Sequence, residues 1–183
     1  MSVTLFEFPR VAGETFTAHE ERGWWPGGPS DPNPTENGVT QRAFDTYLAA
    51  HNLPPALVHE MTPAQQTAIY DGYWAACLGA QVSAASGAVA VCHFDCAFNA
   101  GAHRAALLLQ MTCGVVQDGE LGPVTVAALH EDCAANEEAV VMAYLQNRWD
   151  FLQRLENFPA WKQVWGGREN RLAALCGVPW TVS

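Results

Sequence analysis

Thr62-Pro63-Ala64-Gln65-Gln66-Thr67-Ala68-Ile69-Tyr70-Asp71-Gly72-Tyr73-Trp74 is the stretch on which the fold class turns. Thr62 stands where an N-cap accepts a free amide of the first helical turn. Pro63 fits the first helical position, which needs no N–H, and Gln65 closes the capping box from the third. The segment predicts a helix through Tyr70, Tyr73 and Trp74. Beyond it, from Gly72 to Phe94, the chain carries no Asp, Glu, Lys or Arg. That length would suit a membrane span, but Gly79, Gln81, Ser83, Ser86, Gly87 and the many alanines make it too weakly hydrophobic. It reads as buried core helices, with no membrane insertion.

Further helical signals extend towards the C-terminus. A small-residue helix is expected around Ala88 to Phe98, another over Ala105 to Thr112, and a third opened by Gly122-Pro123 and reaching about Cys133. Asn136-Glu137-Glu138 begins the longest helix, whose acids favour its N-terminal end and whose Val141, Tyr144, Leu145, Phe151, Leu152 and Leu155 form an apolar stripe. A final helix is expected over Arg168 to Leu175. Towards the N-terminus, Thr40 caps a short helix to about Ala50, ended by Asn52-Leu53-Pro54-Pro55. Trp24 to Gly38 holds four prolines and three glycines and predicts a long surface loop or short hairpin. A first helix is expected from about Val11 to Arg22, stopped by Gly23. No stretch alternates with period two long enough to require a central sheet, so the fold class is mainly α.

The chain has 183 residues, 49% of them hydrophobic and 15% charged, which describes one domain able to bury a core without disulfides or a structural metal. Nineteen acids against nine bases give a formal charge of −10. Binding to a phosphate backbone draws its affinity from counterions released around Lys and Arg, so nucleic acid is not an expected partner. Five of the nine bases lie between Arg148 and Arg171, the least acidic part of the chain. The cysteines at 77, 92, 96, 113, 133 and 176 stand among alanines and other apolar residues and read as reduced, small core residues. The first ten residues show neither a basic region nor a long apolar run of the kind a signal peptide has, so accumulation in the cytoplasm is expected.

No Walker loop, GxGxxG, GxSxG or HExxH is present, which removes support for phosphoryl transfer and nicotinamide chemistry. Cys92-His93-Phe94-Asp95-Cys96 lacks a CxxC pair and a second half at zinc spacing, so neither metal nor cofactor is expected. What remains is His19-Glu20-Glu21-Arg22-Gly23-Trp24-Trp25, where a helix ending in carboxylates runs into a loop rich in aromatics, Gly and Pro. A carboxyl group half-buried beside an aromatic has a raised pKa and, still protonated near neutral pH, can donate to a glycosidic oxygen. Asp31 and Thr35 are candidates for holding water or stabilising positive charge at the sugar. The alternative reading makes Glu20 and Glu21 solvated helix-end acids.

Glu21-Arg22-Gly23-Trp24, followed by Thr35-Glu36-Asn37-Gly38-Val39-Thr40, resembles the N-terminal motif of the glycoside hydrolase family 108 lysozymes, N-acetylmuramidases of phage and bacterial origin. The gapless spacing from Glu21 to Gly38 matches the family and favours Glu21 over Glu20. Ile69 to Trp74, Phe94 to Gly101, Leu109-Gln110 and Asp118 to Thr125 follow in the family's order, and Arg148 and Trp165-Gly166-Gly167-Arg168 look like its closing motifs. The resemblance spans about residues 12 to 172. It departs from the family at Arg22, which replaces a Gly, at Ser30, which stands where the loop Asp belongs with Asp31 one place later, and at Pro32-Asn33, which replaces Gly-Gly.

The resemblance implies a lysozyme-like helical fold, with a catalytic lobe over 12–100 and a peptidoglycan-binding-like helical segment over 101–172 within a single domain of 1–183. It implies hydrolysis of the β-1,4 bond between N-acetylmuramic acid and N-acetylglucosamine by a phage- or prophage-associated endolysin that acts on peptidoglycan glycan strands and is released by a holin or another export system. Glu21 is then the general acid, assisted by Asp31 and Thr35. Trp24, Trp25, Tyr70, Tyr73, Asp95, Asn99 and Gln110 are the candidate substrate-binding residues. For Tyr73 core packing is an equal alternative, for Asp95 and Asn99 an internal hydrogen-bonding role, and for Asp118-Gly119 a turn. A wall-binding or structural phage protein without hydrolysis, and a lytic transglycosylase, are the competing functions.

Overall fold

A computed structural model describes residues 23–28 and 32–183. The helix expected over Val11 to Arg22 lies outside them. The chain divides into two compact units that meet in sequence at Gly72 and Tyr73.

The first unit, described from Gly23, begins with three two-residue strands, β1 (Trp24–Trp25), β2 (Thr35–Glu36) and β3 (Val39–Thr40), in the antiparallel order β1-β2-β3. Trp24 pairs with Glu36 and Trp25 with Thr35, while Thr35 pairs with Thr40 and Glu36 with Val39. The two-residue turn between β2 and β3 is Asn37-Gly38, both with positive φ (46° and 78°), the geometry that fits the twist of a tight hairpin and that Asn-Gly adopts at low cost. Of the loop and hairpin foreseen here, the hairpin occupies Thr35 to Thr40. Thr40 then caps α1 (Gln41–Ala50), its side chain accepting from Ala43 N at 3.2 Å. Phe44 and Leu48 of α1 are buried, as are Val39 and Val58. Gln41 ties this unit together: Oε1 accepts from Val58 N at 2.7 Å and Nε2 donates to Ala56 O at 2.9 Å. Thr62 and Gln65 form the expected capping box, with Thr62 N donating to Gln65 Oε1 at 2.9 Å and Gln65 N to Thr62 Oγ1 at 3.3 Å. They open α2 (Pro63–Ala76).

The second unit, described over 73–183, is helical: α3 (Gly79–Ala85), α4 (Gly87–Ala100), α5 (Ala102–Thr112), α6 (Pro123–Leu152) and α7 (Phe158–Cys176). The uncharged stretch ends in α3 and α4. Val89 to Phe94 are buried, but Gly72, Ala75, Ala76, Ala80, Gln81 and Ala84 are exposed. The core expected of the whole stretch is therefore confined largely to its second half, where α4 is enclosed on all sides. Val89 to Ala97 of α4 are all buried, because α3, α5, α6 and α7 surround that helix. Gly79 permits close packing at the start of α3, since a Cβ there would come within 2.3 Å of the Trp74 ring. Among the described residues, no helix is long and apolar enough to cross a membrane.

Two helix boundaries are instructive. α6 is two helical runs joined at Asn136, whose backbone (φ −163°, ψ 89°) is extended and whose Oδ1 accepts from Ala139 N at 3.1 Å, so Asn136 starts a helix where its sequence says it should. α7, in contrast, begins at Phe158, ten residues before the expected Arg168. Gly166-Gly167 reads locally as an interruption. The helix continues through it because Phe158 packs against Trp149 (ring centroids 5.3 Å) and Trp165 (6.2 Å), a tertiary gain that offsets the low helix propensity of glycine.

Candidate active site

In the first unit the sheet governs what the chain offers to solvent. Successive strand residues face opposite sides, so Trp24 and Trp25 present two separate indole surfaces, 45% and 46% exposed. The Trp24 ring rests on the His59 imidazole at 4.9 Å, and the Trp25 ring covers Gly28, where a Cβ would stand 3.0 Å from it. Thr35, opposite Trp25, is half-buried and donates through Oγ1 to Asn33 O at 3.1 Å. Its oxygen lone pairs remain available to accept from water or a sugar hydroxyl. Tyr70 is buried at the end of this unit, donating its hydroxyl to Asn37 O at 2.6 Å and accepting from Gln66 Nε2 at 3.0 Å. It secures the hairpin turn through its oxygen. Glu21 and Asp31, together with the alternative Glu20, lie outside the described residues.

Asn37 is a positioning residue that sequence reasoning missed. Its Oδ1 accepts from Gly23 N at 3.0 Å, its N–H donates to Gly23 O at 3.2 Å, and its carbonyl receives Tyr70. It therefore fixes the start of β1 against the β2–β3 turn, two residues after Glu21 in sequence. The Asn-Gly dipeptide was the available signal.

The remaining candidates lie in the second unit and mostly serve its interior. Tyr73 meets Phe98 edge-on at 5.0 Å. Asn99 donates through Nδ2 to Asp95 O, one helical turn back, at 2.8 Å. Gln110, fully buried, spends its amide on one loop: Nε2 donates to Asp118 Oδ1 at 2.6 Å and Glu120 O at 3.0 Å, and Oε1 accepts from Gly119 N at 2.8 Å. The Gln110 bond, with that from Glu120 N, holds the Asp118 carboxyl below its ordinary range. Asp118-Gly119 is thus a turn, with Gly119 at φ 78°.

Asp95 is enclosed by two guanidiniums. Its carboxylate lies 2.5 Å from Arg148 Nη2 and 3.0 Å from Arg168 Nη2, with Arg168 Nε at 3.1 Å from both oxygens. Burial pushes this carboxyl up, but Arg148 and Arg168 outweigh it and hold Asp95 below the ordinary range, ionised and internally neutralised. Arg148 Nε also forms an ion pair with Glu169 Oε1 at 3.0 Å, and among the described residues neither Glu169 oxygen accepts a hydrogen bond. Glu169 is 0% exposed, and burial pushes its carboxyl up to about 7 against the pull of Arg148. In α4, His93 bonds Cys77 O at 3.0 Å, and burial pushes its imidazole down to about 4. The structure therefore brings Trp24, Trp25, Thr35 and Tyr70 into one unit around the hairpin, and gives Tyr73, Asp95 and Gln110 partners inside the other. Among the described residues, no group of three His, Cys, Asp or Glu side chains is arranged to hold a metal ion.

Residues 15–101 match the model of the family glycosyl hydrolase 108. The match spans the Glu21 junction, the hairpin and α1 to α4, and it supports a glycoside hydrolase. It ends at Gly101, the C-cap of α4. No curated protein matches the chain. Among solved structures, the chain is similar to that of Brucella abortus SagA, with a TM-score of 0.77 and 24% identity, covering 93% of this chain and 94% of that one. At that identity the likeness establishes the fold, and it extends through both units.

Proposed function

We propose that this protein is an N-acetylmuramidase that hydrolyses the β-1,4 bond between N-acetylmuramic acid and N-acetylglucosamine in peptidoglycan. The match of residues 15–101 to glycosyl hydrolase 108 carries the reading. Glu21 is the general acid, protonating the leaving glycosidic oxygen, and Asp31 and Thr35 hold the attacking water or stabilise charge at the sugar. The two exposed indoles of β1 support a glycan site, since aromatic faces stack on the apolar faces of sugar rings and begin only three residues after Glu21. Tyr70 and Asn37 keep that strand and turn in place. The helical segment after Gly101 contributes affinity for the wall.

Purified peptidoglycan tests this. The wild type clears the suspension and releases new reducing ends, and Glu21→Gln lowers the rate on the order of 10²–10⁴-fold, the usual worth of a general acid. Glu20→Gln leaves it near wild type. Equal clearing by wild type and Glu21→Gln overturns the assignment, and anhydromuramic ends in the product assign the chain to the lytic transglycosylases. A second reading, a wall-binding protein without hydrolysis, is favoured by Arg22, Ser30 and Pro32-Asn33 in the motif loop. Binding of the wild type to peptidoglycan without clearing would establish it.

A further inference from the structure

All six cysteines lie in the second unit and are free thiols. Among the described residues one pair brings its sulfurs together: Cys92 Sγ lies 3.6 Å from Cys176 Sγ, across 84 residues of sequence. Cys92 is fully buried in the middle of α4, whereas Cys176 is the half-exposed last residue of α7, where it also donates to Ala88 O at 3.5 Å. This is an anchored helix end. Gly177 caps it at φ 72°, Val178 N donates to Ala173 O at 3.0 Å, and Asn170 grips the tail through Val182, donating at 3.0 Å and accepting at 2.8 Å.

We propose that Cys92 and Cys176 are a disulfide site, open in the structure described and closed by a peroxide, that staples the end of α7 to α4. Half-exposed Cys176 is the sulfur a peroxide reaches. Its sulfur takes one peroxide oxygen, the O–O bond breaks, and the departing hydroxide leaves as water with the thiol proton, giving a sulfenic acid. Cys92 Sγ, already in contact, then forms the S–S bond. The S–O bond breaks and the Cys92 proton leaves with the hydroxyl as a second water. Two sulfurs together lose two electrons, and the peroxide gains them. In a reducing compartment both thiols persist, and the staple forms once the chain meets an oxidising one. Such a cross-link restricts the unfolded chain over a long loop, so closing it stabilises the helical unit.

The full chain, reduced, desalted and treated under native conditions with hydrogen peroxide, tests the proposal. The expected result is a loss of about 2 Da, a linked peptide pair containing Cys92 and Cys176, and a rise in unfolding midpoint of roughly 10 °C that dithiothreitol reverses. Cys176→Ser, at the half-exposed helix end, abolishes all three, and Cys113→Ser retains them. Cys92→Ala repeats the test from the buried side; if it fails to fold, Cys176→Ser decides alone. A gain of about 16 Da or its multiples without the loss, or linkage through any other pair, overturns the proposal.

Discussion

The two units use polar and aromatic residues in opposite ways. Among the described residues, Ser86, His93, Asp95, Gln110, Thr125, Arg148 and Glu169 are buried in the helical unit, whereas the hairpin unit buries the hydroxyl of Tyr70 and carries the exposed Trp24 and Trp25. In the helical unit the polar groups are largely committed to one another: Asp95 to two arginines, Gln110 to a loop, His93 to a carbonyl. In the hairpin unit the polar groups near the tryptophans sit at or near the surface, and large apolar area faces water. A polar residue in an apolar helix must find a partner wherever it is, so its presence says little about substrate. The indoles of β1 also have neighbours, Trp24 resting on His59, yet nearly half of each remains open to solvent.

The sharpest way to break this contrast is to remove a partner from the buried cluster. Arg148→Met leaves Glu169 and part of Asp95 without their cation, and should cost about 3–5 kcal/mol, lowering the unfolding midpoint by roughly 10 °C. Urea titration of the two proteins measures it, and a change below about 1 kcal/mol would show that the cluster is solvated after all.

The pH dependence is next in size. Glu169 in the folded chain, at about 7, binds its proton more tightly than an unfolded carboxyl at 4.5, so its contribution is full below 4.5 and is lost as pH rises through 7. His93, at about 4 when folded and 6.5 when unfolded, has the opposite sign: its contribution is full above 6.5 and is lost as pH falls through 4. The two offset each other between 4.5 and 6.5. The stability difference between wild type and Glu169→Gln should therefore shrink by on the order of 3 kcal/mol from pH 4.5 to 7.5. A difference that stays flat with pH would mean that Glu169 titrates normally.

Trp24→Ala should weaken binding to peptidoglycan by roughly tenfold, about 1.4 kcal/mol, while moving the unfolding midpoint little, because so much of the ring already faces water. A sedimentation assay against insoluble wall, alongside a melting curve, separates the two effects. A large loss of stability with unchanged binding would return Trp24 to the core. Salt should have the smallest effect. Peptidoglycan and this chain are both anionic, the chain at −10, so screening relieves repulsion and clearing should hold or rise up to about 0.15 M. A steep fall would point to a hidden basic contact with the wall.

Local signals foretold much of this architecture. Thr40, Thr62-Pro63 with Gln65, and Asn136 all start helices where their side chains can reach free amides within their own first turn. The extra ten residues of α7 were illegible because Phe158, at the start of the helix, is held by Trp149 of α6 as well as by Trp165 of its own helix. The candidate site divides along the same line. A loop or short hairpin after Trp24 follows from its Gly and Pro content, whereas the Asn37 contacts that fix it, and the roles of Asp95 and Gln110, depend on Gly23, Tyr70, Arg148, Arg168 and the 118–120 loop.

Sequence alone determined the helical class, the capped helix starts and the buried run Val89 to Phe94, because each rests on residues within a few positions of one another. Only the tertiary structure decided that Asp95 pairs with two arginines, that Gln110 ties down a turn and that Cys92 meets Cys176. A buried polar group or thiol takes its meaning from whichever group the fold places within about 3–4 Å of it, and separations of 53, 73 and 84 residues leave no local trace.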